Sequence, residues 1–172
     1  MKLKMTKEEF YNMLYAVIGD VTPLKVDCGQ LCDGACCAVT DEITGMYLFP
    51  GEEVMYKSMP EWGEIYDTDF SYNGKNVDLF TCTGKCERDR RPLSCRIFPL
   101  IPYVKKGGKI DIRMDVRGKG MCPLATAMNV EDLAPEFVKN VTMAMKLCMA
   151  NPETREFLYA LTETLDETED IL

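Results

Sequence analysis

Cys28, Cys32, Cys36 and Cys37 stand within ten residues, CGQLCDGACC, and Cys82 and Cys86 frame the pentapeptide CTGKC. Cys95, Cys122 and Cys148 complete nine cysteines in a chain of 172 residues that has no histidine. Thiols this dense ligate metal, form disulfides, or pack as small hydrophobes. With no imidazole present, a metal site here is all thiolate, or thiolate with carboxylate. Cys/His zinc fingers and His-based triads are excluded. Four thiolates are the usual complement of a structural zinc or of an iron–sulfur cluster.

Sequence context divides the nine. Cys28, Cys32, Cys36, Cys37, Cys82, Cys86, Cys95 and Cys122 lie in stretches punctuated by glycine or proline, and these eight are the expected metal ligands. Glycine suits a chelating turn because it takes positive φ at little cost while backbone N–H groups face sulfur. Eight thiols make two sets of four. Adjacent side chains leave the backbone in different directions, so Cys36 and Cys37 are expected to serve different ions, or only one of them to serve. Cys148 falls on the apolar face of a predicted helix among methionines, where a free thiol behaves as a small hydrophobe.

The charges point the same way. The net charge is −8, which argues against nucleic acid, since phosphate binding requires a surplus of Lys and Arg. Yet Arg88, Arg90, Arg91 and Arg96 crowd around Cys86 and Cys95. A four-thiolate centre is anionic and favours cations or N–H donors around it. Arg91 and Arg96 are assigned that role. Arg88 and Arg90 are expected to pair with Glu87, Asp89 or other surface acids.

Other uses of the thiols are less favoured. An odd count leaves one cysteine over in any disulfide framework, and a chain of this length buries a core without staples. No strict C-x-x-C occurs, and no thioredoxin-like pattern surrounds the cysteines. The N-terminal stretch lacks the unbroken apolar core of a signal peptide, and no apolar run is long enough to span a membrane. A cytoplasmic location, with no membrane partner, is the expectation.

Elements on either side must hold these loops. Thr6 and Glu9 form a capping box ahead of Phe10, Met13, Leu14, Val17 and Ile18, one apolar helical face. Residues 27–37 read as a loop, 46–49 as a short strand and 51–59 as a short helix. Asn73-Gly74 predicts one β-hairpin and Gly107-Gly108 a second. In the second arm of the latter, Ile110, Ile112, Met114 and Val116 alternate with Asp111, Arg113 and Asp115, predicting one buried and one exposed face. Pro135 and Asn151-Pro152 open two C-terminal helices, with an acidic tail expected to fray. The composition, 47% hydrophobic and 28% charged, is that of a globular chain. The fold expected is a small single α+β domain over 1–172. Helices at both ends pack around a Cys-rich, metal-pinned region at 28–123 with short β-hairpins, and a helical segment occupies 130–165.

The phrase Arg91-Pro92-x-x-Cys95-Arg96-x-Phe98-Pro99, with Cys86 upstream and Cys122-Pro123 downstream, resembles the CxxCxxCC family of zinc- or iron-chelating proteins. The first block departs from the family pattern, with gaps of three residues between Cys28, Cys32 and Cys36 rather than two. That spacing is distantly similar to flagellin lysine N-methylases, whose likeness implies an iron–sulfur cluster. The resemblance spans residues 28–123 and implies metal binding through the eight cysteines, without a substrate or reaction. Zinc is the expected metal, and iron or an iron–sulfur cluster the alternative. A metal-binding protein is the first reading. An iron–sulfur protein with redox or methylase-related activity is the second, and an oxidised structural protein the third. No Gly-rich nucleotide loop or persuasive nucleophile is present, so no catalytic residue is nominated, and no protein partner is indicated.

Overall fold

Helix α1 (Lys7–Ile18) starts where its sequence says it should. Thr6 Oγ1 accepts from the Glu9 N–H at 3.1 Å, and the Glu9 carboxylate accepts from the Thr6 N–H at 2.8 Å. These reciprocal bonds satisfy donors that a helix start leaves free. The computed structural model describes residues 5–37, 45–84 and 86–171. Along it follow α2 (Gly29–Cys32), β1 (Met46–Tyr47), β2 (Gly63–Tyr72), β3 (Lys75–Cys82), α3 (Leu93–Ile97), β4 (Leu100–Val104), β5 (Ile110–Met114), α4 (Pro123–Ala127), α5 (Pro135–Ala150) and α6 (Pro152–Glu169). Helices with two antiparallel sheets make this an α+β architecture.

The core forms where α1, α5 and α6 meet. Tyr11, Leu14, Phe137, Val141, Phe157 and Leu158 are sealed from solvent there. Each such side chain contributes roughly 1.5–3 kcal/mol by leaving water. Asn140 Nδ2 donates to the Ile18 carbonyl at 3.2 Å, tying α5 to the end of α1. Between α5 and α6 the chain turns at Asn151, whose Oδ1 accepts from the N–H groups of Glu153 and Thr154. With Pro152 in the first turn, this stop and restart follows from the Asn-Pro pair.

Two hairpins flank this helical layer. The β2–β3 turn has positive φ at both Asn73 and Gly74, as a two-residue hairpin turn requires. β1 adds to the outer side of β3, so the sheet order is β1-β3-β2. Phe49, Phe70 and Tyr72 bring this sheet against Phe157 of α6. The β4–β5 hairpin is fixed to α6 by a bond from the Val104 N–H to Thr162 Oγ1 at 2.9 Å.

Several expectations need correcting. Residues 27–37 are not a plain loop: α2 and a 3-10 turn (Ala35–Cys37) occupy them. The expected strand at 46–49 is two residues long, and the expected helix at 51–59 is a 3-10 turn at Glu52–Tyr56. β5 has no fully exposed face, because Arg113 lies over the Tyr103 ring and Asp115 is buried with Arg117. The acidic tail stays helical to Glu169, because Leu161 and Leu165 hold it in the core. Among the described residues, no helix is long and apolar enough to cross a membrane.

Candidate metal centre

The eight cysteines expected as ligands lie on separate pieces of chain, several of them in helix or strand rather than loop. Cys28 and Cys32 bracket α2, and the Cys32 thiol donates to the Cys28 carbonyl at 3.6 Å. Asp33 and Gly34 take positive φ directly after α2, which reverses the chain into the turn holding Cys36 and Cys37. Cys82 ends β3, Cys95 lies within α3, and Cys122 precedes Pro123 at the start of α4. Lys85, in the turn between Cys82 and Cys86, lies outside the described residues.

A cavity of about 170 Å³ joins several of these pieces. Cys28, Cys32, Cys36, Cys95 and Cys122 line it, and Ile18, Phe98 and Leu124 supply apolar wall. Arg88, Arg91 and Arg96 face the same space. Burial pushes the Cys28 thiol up, with the charges of Asp27, Cys32 and Cys122 adding and Arg88 opposing.

A second neighbourhood surrounds Arg91. Its Nε donates to Cys86 Sγ at 3.0 Å. Burial works against the guanidinium, but Cys86, Cys37 and Cys95 hold its pKa above the ordinary value. Burial raises the thiols of Cys95 and Cys82, and Cys37 and Cys86 raise both further. Cys36 and Cys37 join the two neighbourhoods, with sulfurs 3.8 Å apart. Their mutual contact lowers Cys37 to about 6, against burial and with help from Arg91, and together with burial drives Cys36 far up.

The remaining charges are placed individually. Arg88 pairs with Asp27 at 3.7 Å, and Arg90 with Glu87 at 3.9 Å, both near the surface where such pairs contribute little. Arg96 touches no sulfur. Its Nε donates to the Arg91 carbonyl at 2.7 Å, its Nη2 donates to the Asp89 carbonyl, and its guanidinium lies 4.0 Å from the centroid of the Tyr15 ring. Cys148 is fully buried on α5, where the helical spacing predicts it.

All nine cysteines are free thiols. Among the described residues, no three Cys, Asp or Glu side chains are drawn together closely enough to hold one ion. The donor set suits a soft cation: neighbouring sulfurs, a guanidinium hydrogen-bonded to one of them, and no competing imidazole.

Sequence reasoning missed Glu52. This carboxylate is fully buried in the 3-10 turn at Glu52–Tyr56 and accepts from Tyr15 Oη at 2.6 Å, Leu93 N–H at 2.6 Å and Phe49 N–H at 3.0 Å. In the sequence it reads like its exposed neighbour Glu53, and no spacing signal separates the two. Comparison with family models, curated proteins and solved structures finds no match.

Proposed function

We propose that this chain is a metal-binding protein that holds zinc, or iron, through Cys28, Cys32, Cys36, Cys37, Cys82, Cys86, Cys95 and Cys122. The observation that carries the reading is the contrast among the nine thiols. Cys28, Cys32, Cys36, Cys95 and Cys122, from distant parts of the sequence, line one cavity together with Arg91, Cys86 accepts a bond from that guanidinium, and Cys148 is sealed in the core. Packing alone accounts for Cys148. It does not account for sulfurs, most of them half-buried, that neighbour one another and a guanidinium.

The neighbourhoods favour two sets of four, Cys28, Cys32, Cys36 and Cys122 around the cavity and Cys37, Cys82, Cys86 and Cys95 around Arg91. The cation of Arg91, braced by Arg96, offsets the negative charge that thiolates and metal carry together. Bound metal would supply stability, because ligand thiols from separate segments are pinned by a shared ion and binding energy becomes folding energy. The resemblance to CxxCxxCC chelating proteins agrees with this reading. The role proposed is binding and organisation.

The test is purification without oxygen, followed by elemental analysis, sulfide assay and a visible spectrum. Colourless protein with bound zinc is the expected result. Brown protein with iron and labile sulfide moves the reading to an iron–sulfur protein. Metal-free protein that neither retains nor takes up zinc or iron overturns it.

A further inference from the structure

One buried carboxylate, Glu52, joins the start of the Cys95-bearing helix to α1 and to the segment after β1. We propose that Glu52 is the positioning residue of the thiol site, fixing Cys95 through the backbone of α3 and Cys86 through Tyr15, Arg96 and Arg91. The inference rests on the reading of these thiols as metal ligands.

A carboxylate removed from water is costly unless its oxygens are fully partnered. Glu52 meets that condition with three donors and no acceptor: the Tyr15 hydroxyl and the Leu93 N–H on Oε1, and the Phe49 N–H on Oε2. Both of its arms accept in this pocket. Glutamine turns an NH₂ toward a donor, and an apolar residue leaves all three donors bare.

Each partner leads somewhere. Leu93 is the first residue of α3, a helix of five residues that contains Cys95 and Arg96. So short a helix has little stability of its own, and its placement depends on the core packing of Leu93 and Ile97 and on the bond that Glu52 makes at its start. Tyr15 belongs to α1, whose neighbours Tyr11 and Leu14 are in the core. Its ring carries the Arg96 guanidinium at 4.0 Å. Arg96 Nε in turn holds the Arg91 carbonyl at 2.7 Å, and Arg91 Nε meets Cys86 Sγ at 3.0 Å. Phe49 is itself buried against Phe157 of α6. One side chain thus refers two thiols to α1 and α6 at once. Tyr56, from the same 3-10 turn, adds a bond to the Arg90 carbonyl at 3.1 Å.

The experiment uses the full chain and two readouts. Cobalt(II) titration reports thiolate ligation by its charge-transfer bands. Timed alkylation of the metal-free protein, read by mass spectrometry, reports each thiol separately, with Cys148 as the core reference. In E52Q the expected result is about tenfold weaker cobalt binding, as for loss of an orienting partner, with altered visible bands. Cys86 and Cys95 are expected to alkylate several-fold faster while Cys148 keeps its rate. A folded E52Q with unchanged cobalt spectrum and unchanged alkylation overturns the proposal. So does equal acceleration at all three thiols, which marks a purely global effect. Should E52Q not fold, Y15F removes one donor and keeps the ring. Selective acceleration at Cys86 and Cys95 in Y15F supports the proposal, and no selectivity overturns it. If the unaltered chain takes up no cobalt, the metal reading fails, and the alkylation pattern still decides the role of Glu52.

Discussion

Arg91 Nε sits 3.0 Å from Cys86 Sγ, a charge-assisted contact between a half-buried guanidinium and a sulfur five residues earlier. Such bonds are stronger than neutral ones. Replacing Arg91 with Gln is expected to weaken zinc binding roughly 10- to 100-fold, measured by competition with a coloured chelator. R91K keeps the charge but loses the planar fork, and falls between. R96Q, one contact further from sulfur, has a smaller effect than either loss of a thiol or R91Q. Unchanged affinity in R91Q would reduce the contact to packing.

Cys95→Ser and Cys32→Ser are expected to lower metal content and thermal stability together, since binding and folding share one free energy. Cys148→Ala is expected to leave metal stoichiometry intact and to cost about 1 kcal/mol, the usual size for a small core change. Elemental analysis with thermal melts checks all three. A fall in stoichiometry on C148A would place that thiol among the ligands.

Much of the scaffold was legible because it obeys local rules. The Thr6/Glu9 box, the Asn73-Gly74 turn and the Asn151-Pro152 restart each follow from chemistry within four residues. The gathering of thiols was legible only as a class, from residue type and glycine context. Which sulfur neighbours which was not, because Cys37 and Cys95 approach through tertiary packing of segments far apart in sequence. Glu52 and Asp115 escaped for the same reason. A charged residue on an apparently exposed position gives no local sign that it is buried against donors from elsewhere. Arg117 was needed to explain Asp115, and Leu93 to explain Glu52.

Glu52 also gives stability a pH dependence of defined sign. Burial raises its pKa from 4.5 to about 7, although bonds from Tyr15, Leu93 and Phe49 and the charge of Arg96 oppose the rise. A carboxyl group raised in the folded state binds its proton more tightly there than in the unfolded chain. Its contribution is fully present below about pH 4.5 and is lost as pH climbs to about 7. The loss is roughly 3 kcal/mol, at about 1.4 kcal/mol per tenfold change in proton affinity. Urea unfolding of the unaltered chain and E52Q across this range isolates the effect: the difference in stability between them is expected to change with pH. A pH-independent difference would mean that Glu52 titrates alike in both states.

Asp115 is 4% exposed and receives three bonds from Arg117, from the backbone N–H at 3.0 Å, Nε at 2.9 Å and Nη2 at 2.7 Å. D115N preserves the shape and removes the charge. It is expected to cost roughly 1–3 kcal/mol, the range for bonds to a charged group, in urea unfolding. An effect below about 0.5 kcal/mol, typical of surface changes, would show that water already screens the pair.

The bond from Asn140 to the Ile18 carbonyl joins residues 122 positions apart. During synthesis the first helix therefore leaves the ribosome with its apolar stripe bare, and every cysteine before Asn140 emerges before the partner helices exist. Contacts so distant along the chain form late, and uncovered apolar surface is prone to association. For this polypeptide the vulnerable interval is translation itself, when sulfur and hydrocarbon alike await two C-terminal helices not yet made.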